Sequence, residues 1–300
     1  MYVVTGGAGH TGSVIATKLL KNGKRVRVVG RNPEHLRHLV AEGAEAFSAD
    51  VTDAGSFSRA LAGAKAAYLM VPPNLAAPDA RAFQLTVADA ATTAVKNAGV
   101  THVVVLSSIG ADKPEGTGPI VGLHYFEEQL NKIHGLNALR LRAAYFMENT
   151  LAQVGIVQKA GMAVGPLRPD LKLPMIATRD IGEAAAKALL DLNFKGTETR
   201  ELLGQRDLDM NEATNIIGNA IGKPDIKYVQ APDDQIRAAM TQMGMSHSLV
   251  DLLLEMAAAL NSGHVRAVEK RSAENTTPTS YETFVKEDFV PLYRAGSAAA

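Results

Sequence analysis

The chain of 300 residues contains no cysteine and no tryptophan. The first absence removes disulfides, thiolate metal sites and cysteine nucleophiles, and it suits a reducing compartment. The second leaves Tyr, Phe, His or Met to stack on any planar ligand. Net charge is also lacking, with Lys plus Arg and Asp plus Glu at 31 each. Without a basic field nothing gathers nucleic acid, so a DNA- or RNA-binding role is not expected. No run approaches the roughly 18 apolar residues of a membrane span. Met1–Thr5 enter a strand pattern at once, so no signal peptide is expected ahead of the fold. Together these absences predict a cytoplasmic protein that works on neither membrane nor nucleic acid. No His/Asp/Glu cluster has metal-ligand spacing, and Glu127 with Glu128 do not make a site, so no metal is expected.

Apolar residues make up 46% of the chain, an ordinary globular share. Through residue 141 they fall in alternating strand and helix patterns. Strands are predicted at 2–5, 25–29, 46–49, 67–71, 102–106 and 138–141. Helices are predicted at 13–21, 34–41, 56–61, 80–97 and 123–134. This alternation implies an α/β fold with a doubly wound parallel sheet of Rossmann type. After about residue 146 the rhythm becomes irregular. Helices are expected at 180–190 and 211–221, strands near 200–203 and 226–229, and three helical patches on to Tyr293. The predicted organisation is a dinucleotide-binding domain over 1–150, a smaller α+β substrate lobe over 151–294 interleaved with it, and a frayed tail at 295–300.

The sharpest motif is Gly6-Gly7-Ala8-Gly9-His10-Thr11-Gly12, which follows a strand and opens a helix. In that context Gly6, Gly9 and Gly12, with His10 and Thr11, read as a cradle for a pyrophosphate. The glycines let backbone amides approach it, and the helix N-terminus faces its charge. The end of the second strand chooses the cofactor. An NAD site would carry an acid there for the ribose 2′-hydroxyl. This chain has Gly30-Arg31-Asn32, and Arg31 offers a cationic fork to a 2′-phosphate, with His35 and Arg37 nearby. NADP(H) is therefore the expected cofactor; a solvated loop residue is the plainer alternative for Arg31, and NAD(H) use stays open. Asp50 and Val51 suit the adenine, Asp50 accepting from its amino group and Val51 packing on its face; Asp50 also reads as a turn residue. Val71 and Pro72 close the fourth strand where a cofactor would lie.

With these pieces placed, the chain resembles the NmrA-like branch of the atypical short-chain dehydrogenase/reductases. The resemblance rests on GGAGHTG, on Val-Gly-Arg-Asn at 29–32, Leu-Ser-Ser-Ile-Gly-Ala at 106–111 and His-Tyr-Phe-Glu-Glu at 124–128. It continues through Leu-Arg-Ala-Ala-Tyr-Phe-Met-Glu-Asn at 141–149 and Thr-Pro-Thr at 277–279. Within that branch it is most similar to reductases of azo dyes, quinones and triphenylmethane dyes, which implies a nicotinamide cofactor, no flavin and a small aromatic substrate. Monomer and homodimer both stay open.

Short-chain reductases with full machinery use a Ser and a Tyr-x-x-x-Lys pair, in which Tyr donates the proton. Aligning the helix on Glu128 puts the Lys position at His124 and the Tyr position at Ile120, so neither partner is present. Ser107 or Ser108 stands at the Ser position. Ser107 and His124 are thus the candidate catalytic residues and candidate cofactor contacts, with Glu128 one turn away to orient His124; a helix-start histidine and a strand-end serine are the plainer alternatives. Arg142 reads as structural. Phe146 is expected beside the nicotinamide, and Tyr145, Met147 and Asn149 beside the substrate; core packing is an equal reading for Phe146. Met240, Met243, Met245 and Met256 suit either a flat ligand or a core stripe. The missing Tyr–Lys pair disfavours alcohol–ketone chemistry and a sugar-nucleotide epimerase. It allows hydride transfer to electron-poor acceptors such as quinones or azo compounds. It also allows a non-catalytic NADP(H) sensor.

Overall fold

In a computed structural model that describes residues 1–298, seven strands form one wholly parallel sheet. Its strands are β1 (Tyr2–Thr5), β2 (Val26–Gly30), β3 (Glu45–Ser48), β4 (Ala66–Leu69), β5 (His102–Ser108), β6 (Asn137–Ala143) and β10 (Thr197–Leu202). They lie in the order β10-β6-β5-β4-β1-β2-β3. The central strands β1 and β4 are buried along their whole length, which is why they read as continuous apolar runs. The chain winds outward from β1 through β2 to β3, then restarts at β4 and winds the other way. The reversal between β1 and β4 is the crevice where open α/β sheets take ligands.

Helices cover both faces. On one side lie α1 (His10–Lys21) and α7 (Thr178–Asp191), packed on each other, with the short α2 (Arg37–Ala41) beside α1. On the other lie α3 (Ala54–Leu61), α4 (Ala80–Ala98) and α5 (Ile120–Asn131). The nineteen-residue α4 is bounded by its own sequence: the Asp79 side chain accepts from the Ala82 amide at its start, and Gly99 closes it at φ +64°. Its alanines let it lie close to its neighbours.

Residues beyond 150 both complete this sheet and build above it. α7 and β10 belong to its layers. Above the strand ends sit β7 (Tyr145–Phe146), α6 (Gln153–Ala160), β8 (Ala163–Gly165), β9 (Leu173–Ile176), β11 (Asp207–Leu208) and α8 (Met210–Ala220), followed by β12 (Tyr228–Gln230), α9 (Asp233–Gln242) and α10 (His247–Asn261). Several predicted boundaries shift. The α1 helix begins at His10, inside the glycine motif, rather than at Ser13. The fourth strand stops at Leu69, and α5 starts one turn earlier than its apolar spacing suggested. Residues 295–298, within the tail expected to fray, continue a helix that begins at Val290; residues 299–300 lie outside the described residues.

Candidate functional site

The glycine loop spans the winding reversal. Gly6 takes φ +64°, a conformation that glycine adopts without strain, and its carbonyl accepts from the Gly9 amide at 2.8 Å. A Cβ on Gly12 would fall 2.2 Å from the Gly6 oxygen, so the helix can approach the loop only because Gly12 has none. Gly9 caps α1 with no side chain, and no acid occupies the first turn. Among the described residues the amides of His10, Thr11 and Gly12 have no backbone acceptor. An uncapped positive helix end beside a glycine cradle fits a pyrophosphate. The Thr11 side chain does something else: buried, it accepts from the Tyr68 hydroxyl at 3.0 Å and ties α1 to β4. Thr5 stitches the crevice, donating to the Tyr68 carbonyl and accepting from the Met70 amide.

Arg31 is exposed at the end of β2, and its guanidinium makes no hydrogen bond or ion pair among the described residues. Arg37 is already paired with Glu34. Asp50 accepts from the Thr52 hydroxyl at 2.6 Å and its amide at 2.9 Å. These bonds, with Arg31 nearby, hold its carboxyl below the usual range. The turn role foreseen for Asp50 is therefore present. Val51 packs with the core beneath α3 and α4.

Beside the loop opens a cavity of about 500 Å³. Its floor is the mouth of the sheet, with Met70, Val71 and Pro72 after β4, Leu106–Ile109 at β5, and Tyr145, Phe146 and Asn149 after β6. α4 and α5 form one wall through Phe83, Gln84, Ile120 and Leu123. α10 forms the roof. Met70 joins cradle and cavity, since its sulfur lies 2.6 Å from where a Gly6 Cβ would stand. Burial pushes the Tyr145 phenol up to about 12 against the opposing hydrogen bond from Asn149, so it is a donor at neutral pH.

Four of the expected residues make other contacts. Met147 does not reach the cavity; it is 1% exposed and packed in the main core. His124 does not line it either. Its Nδ1 lies 2.9 Å from the Ala111 carbonyl, tying α5 to the loop after β5. Glu128 does not orient it, but accepts from Asn131. Ser107 lies at the cavity edge, yet its hydroxyl donates to Glu127 at 2.6 Å and is not a free acid. Of the four methionines, Met256 lines the roof, Met240 and Met245 pack on a small core, and Met243 is exposed.

The residue that went unrecognised is Glu127. Only 1% exposed, it takes Ser107 and two nitrogens of Arg142, at 3.1 and 2.6 Å, with Arg140 at 3.3 Å. Aligning the helix on this buried acid instead of Glu128 moves the Lys and Tyr positions to Leu123 and Pro119. Both of these line the cavity. The α5 face that would carry a proton donor is apolar.

Comparison with known proteins agrees with this architecture. The sequence profile of the NmrA-like family matches residues 2–285. An NAD(P)H azoreductase of Xenophilus azovorans is 28% identical over 258 residues, covering 85% of this chain and 86% of that protein. The (4-alkanoyl-5-oxo-2,5-dihydrofuran-3-yl)methyl phosphate reductase of Streptomyces griseus subsp. griseus is 28% identical over 240 residues, covering 80% of each. Among solved structures, the NADPH complex of an NADPH-dependent quinone oxidoreductase from Escherichia coli superposes with a TM-score of 0.81 at 22% identity. That match covers 98% of this chain and all of the other. A family profile matched over nearly the whole sequence, on a doubly wound sheet with its glycine loop at the winding reversal, shows that the chain belongs to the NmrA-like family.

Proposed function

We propose that the chain is an NADPH-preferring reductase of electron-poor aromatic acceptors, quinones or azo compounds, acting in the cytoplasm without flavin. One observation carries the reading. The phosphate cradle and the cavity share a wall at Met70, so a dinucleotide laid along the cradle would end in the cavity. Bound there, NADPH supplies a hydride. The chain's own residues supply the rest. The glycine loop and the α1 amides hold the pyrophosphate, Arg31 takes the 2′-phosphate, and Val71, Pro72 and Phe146 flank the reacting end. The apolar walls exclude water and hold an acceptor against the cofactor. Tyr145, fixed by Asn149, donates a hydrogen bond to the acceptor as charge develops on it. The cofactors and acceptors in the relatives' names support this reading.

The test is NADPH oxidation followed at the nicotinamide band with a quinone and an azo dye, in flavin-free protein. Steady oxidation is expected, faster with NADPH than NADH. The apolar α5 face favours one rival, a redox sensor that binds NADP(H) and reports to a partner. NADPH binding by calorimetry without turnover on any acceptor would replace the reductase with that sensor.

A further inference from the structure

Among the described residues that line the cavity, none is charged. Arg81, one residue from the wall at Ala80, is not among the lining residues and donates to the Gly118 carbonyl at 2.9 Å. Arg142 is held by Glu127. The roof adds a second feature. Leu249, Leu253, Met256 and Leu260 of α10 recur at helical spacing and all face the cavity. At 1.5 Å per residue they make an aliphatic stripe about 16 Å long. Leu249, Leu253 and Met256 are only half-buried.

An adjoining side of α10 is apolar too, with Val250 and Leu254 packed among Ala231 and Ile236. A surface helix needs one apolar face to dock. This one has two, and the second lines the cavity. The roof is also held in place. The Ser248 hydroxyl accepts from the Ala80 amide at 2.9 Å, and the Ser246 amide donates to the Leu75 carbonyl at 2.8 Å. Gly118 lies so close beneath that an added Cβ would sit 2.0 Å from the Leu252 oxygen. These contacts keep the stripe from collapsing onto the floor.

We propose that the acceptor is uncharged and carries an aliphatic substituent that lies along the α10 stripe. This rests on the reductase reading and narrows its substrate class. An anionic or cationic acceptor would leave water for a wall that offers no counter-charge, a heavy penalty for an ion. A neutral acceptor with a tail gains buried area with each methylene.

The experiment is a series of 2-alkyl-1,4-naphthoquinones of increasing chain length, with 1,4-naphthoquinone-2-sulfonate as the charged member. Lengthening the alkyl chain hardly alters the quinone's electron demand, and the sulfonate increases it, so electronics alone would favour the charged compound. The expected result is a kcat/KM that climbs about two- to fourfold per methylene before reaching a plateau. The sulfonate should fall about 100-fold or more below the unsubstituted quinone. In Leu253→Ser the ratio of longest to shortest member should shrink. A flat series, or a sulfonate reduced as well as the neutral parent, overturns the proposal while leaving the reductase reading intact. If neither these quinones nor an azo dye is reduced, that reading fails. The same series is then titrated calorimetrically into the NADP⁺ complex, where the same rise and the same sulfonate loss in affinity support the proposed occupant and a flat profile overturns it.

Discussion

Removing Glu127 should damage the protein far more than removing its neighbour Glu128. The Glu127 carboxylate lies in the interior with three donors on it: the Ser107 hydroxyl, Arg142 through two nitrogens, and Arg140. In Glu127→Ala both guanidiniums lose their anion; Arg140 retains Asn131, whereas Arg142 keeps only more distant acids, among them Asp112 and Glu201. Breaking a buried pair by deleting one partner costs about 3–5 kcal/mol. For a chain of this length the unfolding entropy is about 0.6 kcal/mol per degree, so the midpoint should drop by about 5–8 °C. Glu127→Gln keeps the shape and an acceptor for Ser107 and should lose less. Glu128 is exposed and bonded only to Asn131, so Glu128→Ala should stay within about 0.5 kcal/mol of the parent. Scanning calorimetry on the three variants makes the comparison. A Glu127→Ala protein that melts with the parent, or a Glu128→Ala protein that melts as low, refutes the assignment of Glu127 as the buried anchor.

Arg31→Ala should weaken NADPH by about 1–3 kcal/mol and leave NADH nearly unchanged, because a 2′-phosphate loses one charge-assisted partner; equal losses in a paired titration would remove Arg31 from the phosphate site. Gly12→Ala forces a Cβ against the Gly6 oxygen and should cost about 1–3 kcal/mol of stability together with cofactor binding. At Gly9 the same methyl meets that oxygen at 3.2 Å with an ordinary φ of −87°, so Gly9→Ala should stay folded and lose affinity alone. His124→Ala should cost about 1 kcal/mol of stability and change kcat/KM less than about threefold, since the ring bonds Ala111 rather than lining the cavity; a tenfold loss of turnover would return His124 to the reaction. Burial raises the phenols of Tyr68, Tyr145, Tyr228 and Tyr281 above their ordinary value, Tyr145 to about 12. A group raised on folding contributes fully below its unfolded value and is lost as pH climbs through the folded one. Their contribution should therefore be intact at neutral pH and fail above about pH 10, read as a falling melting midpoint that tyrosine-to-phenylalanine variants make shallower.

Much of the sheet was legible because buried parallel strands are short apolar runs between turn residues. Val3, Val4, Val28 and Val103 to Val105 announce themselves in that way. β10 was harder to read. Its Thr-Glu-Thr-Arg start is partly exposed at the sheet edge, so only its buried end, Glu201 and Leu202, resembles a strand. That β10 pairs with β6 is a choice made by tertiary packing, and no local pattern in either segment states it. The glycine loop was legible for the opposite reason: its demands are local, as the Gly6 torsion and the Gly12 clearance show.

The site failed to read where two adjacent residues of one type had different surroundings. Glu127 and Glu128 are equivalent in composition, and the alignment on Glu128 placed His124 at the reacting position. Two signals were present that favour Glu127. It continues the stripe Ile120, Leu123, Glu127, Leu130 at helical spacing, whereas Glu128 falls beside it. And β6 carries Arg140 and Arg142 in a strand that is otherwise apolar after Asn137, which requires a buried anion close by. An acid on the apolar stripe of the preceding helix meets that requirement, and its position then fixes the helix rotation. Once α5 is turned by one residue, His124 leaves the cavity and Leu123 enters it. A proton donor disappears from the predicted site and an apolar wall takes its place. The chemistry that remains is limited to acceptors that need positioning more than they need an acid from α5.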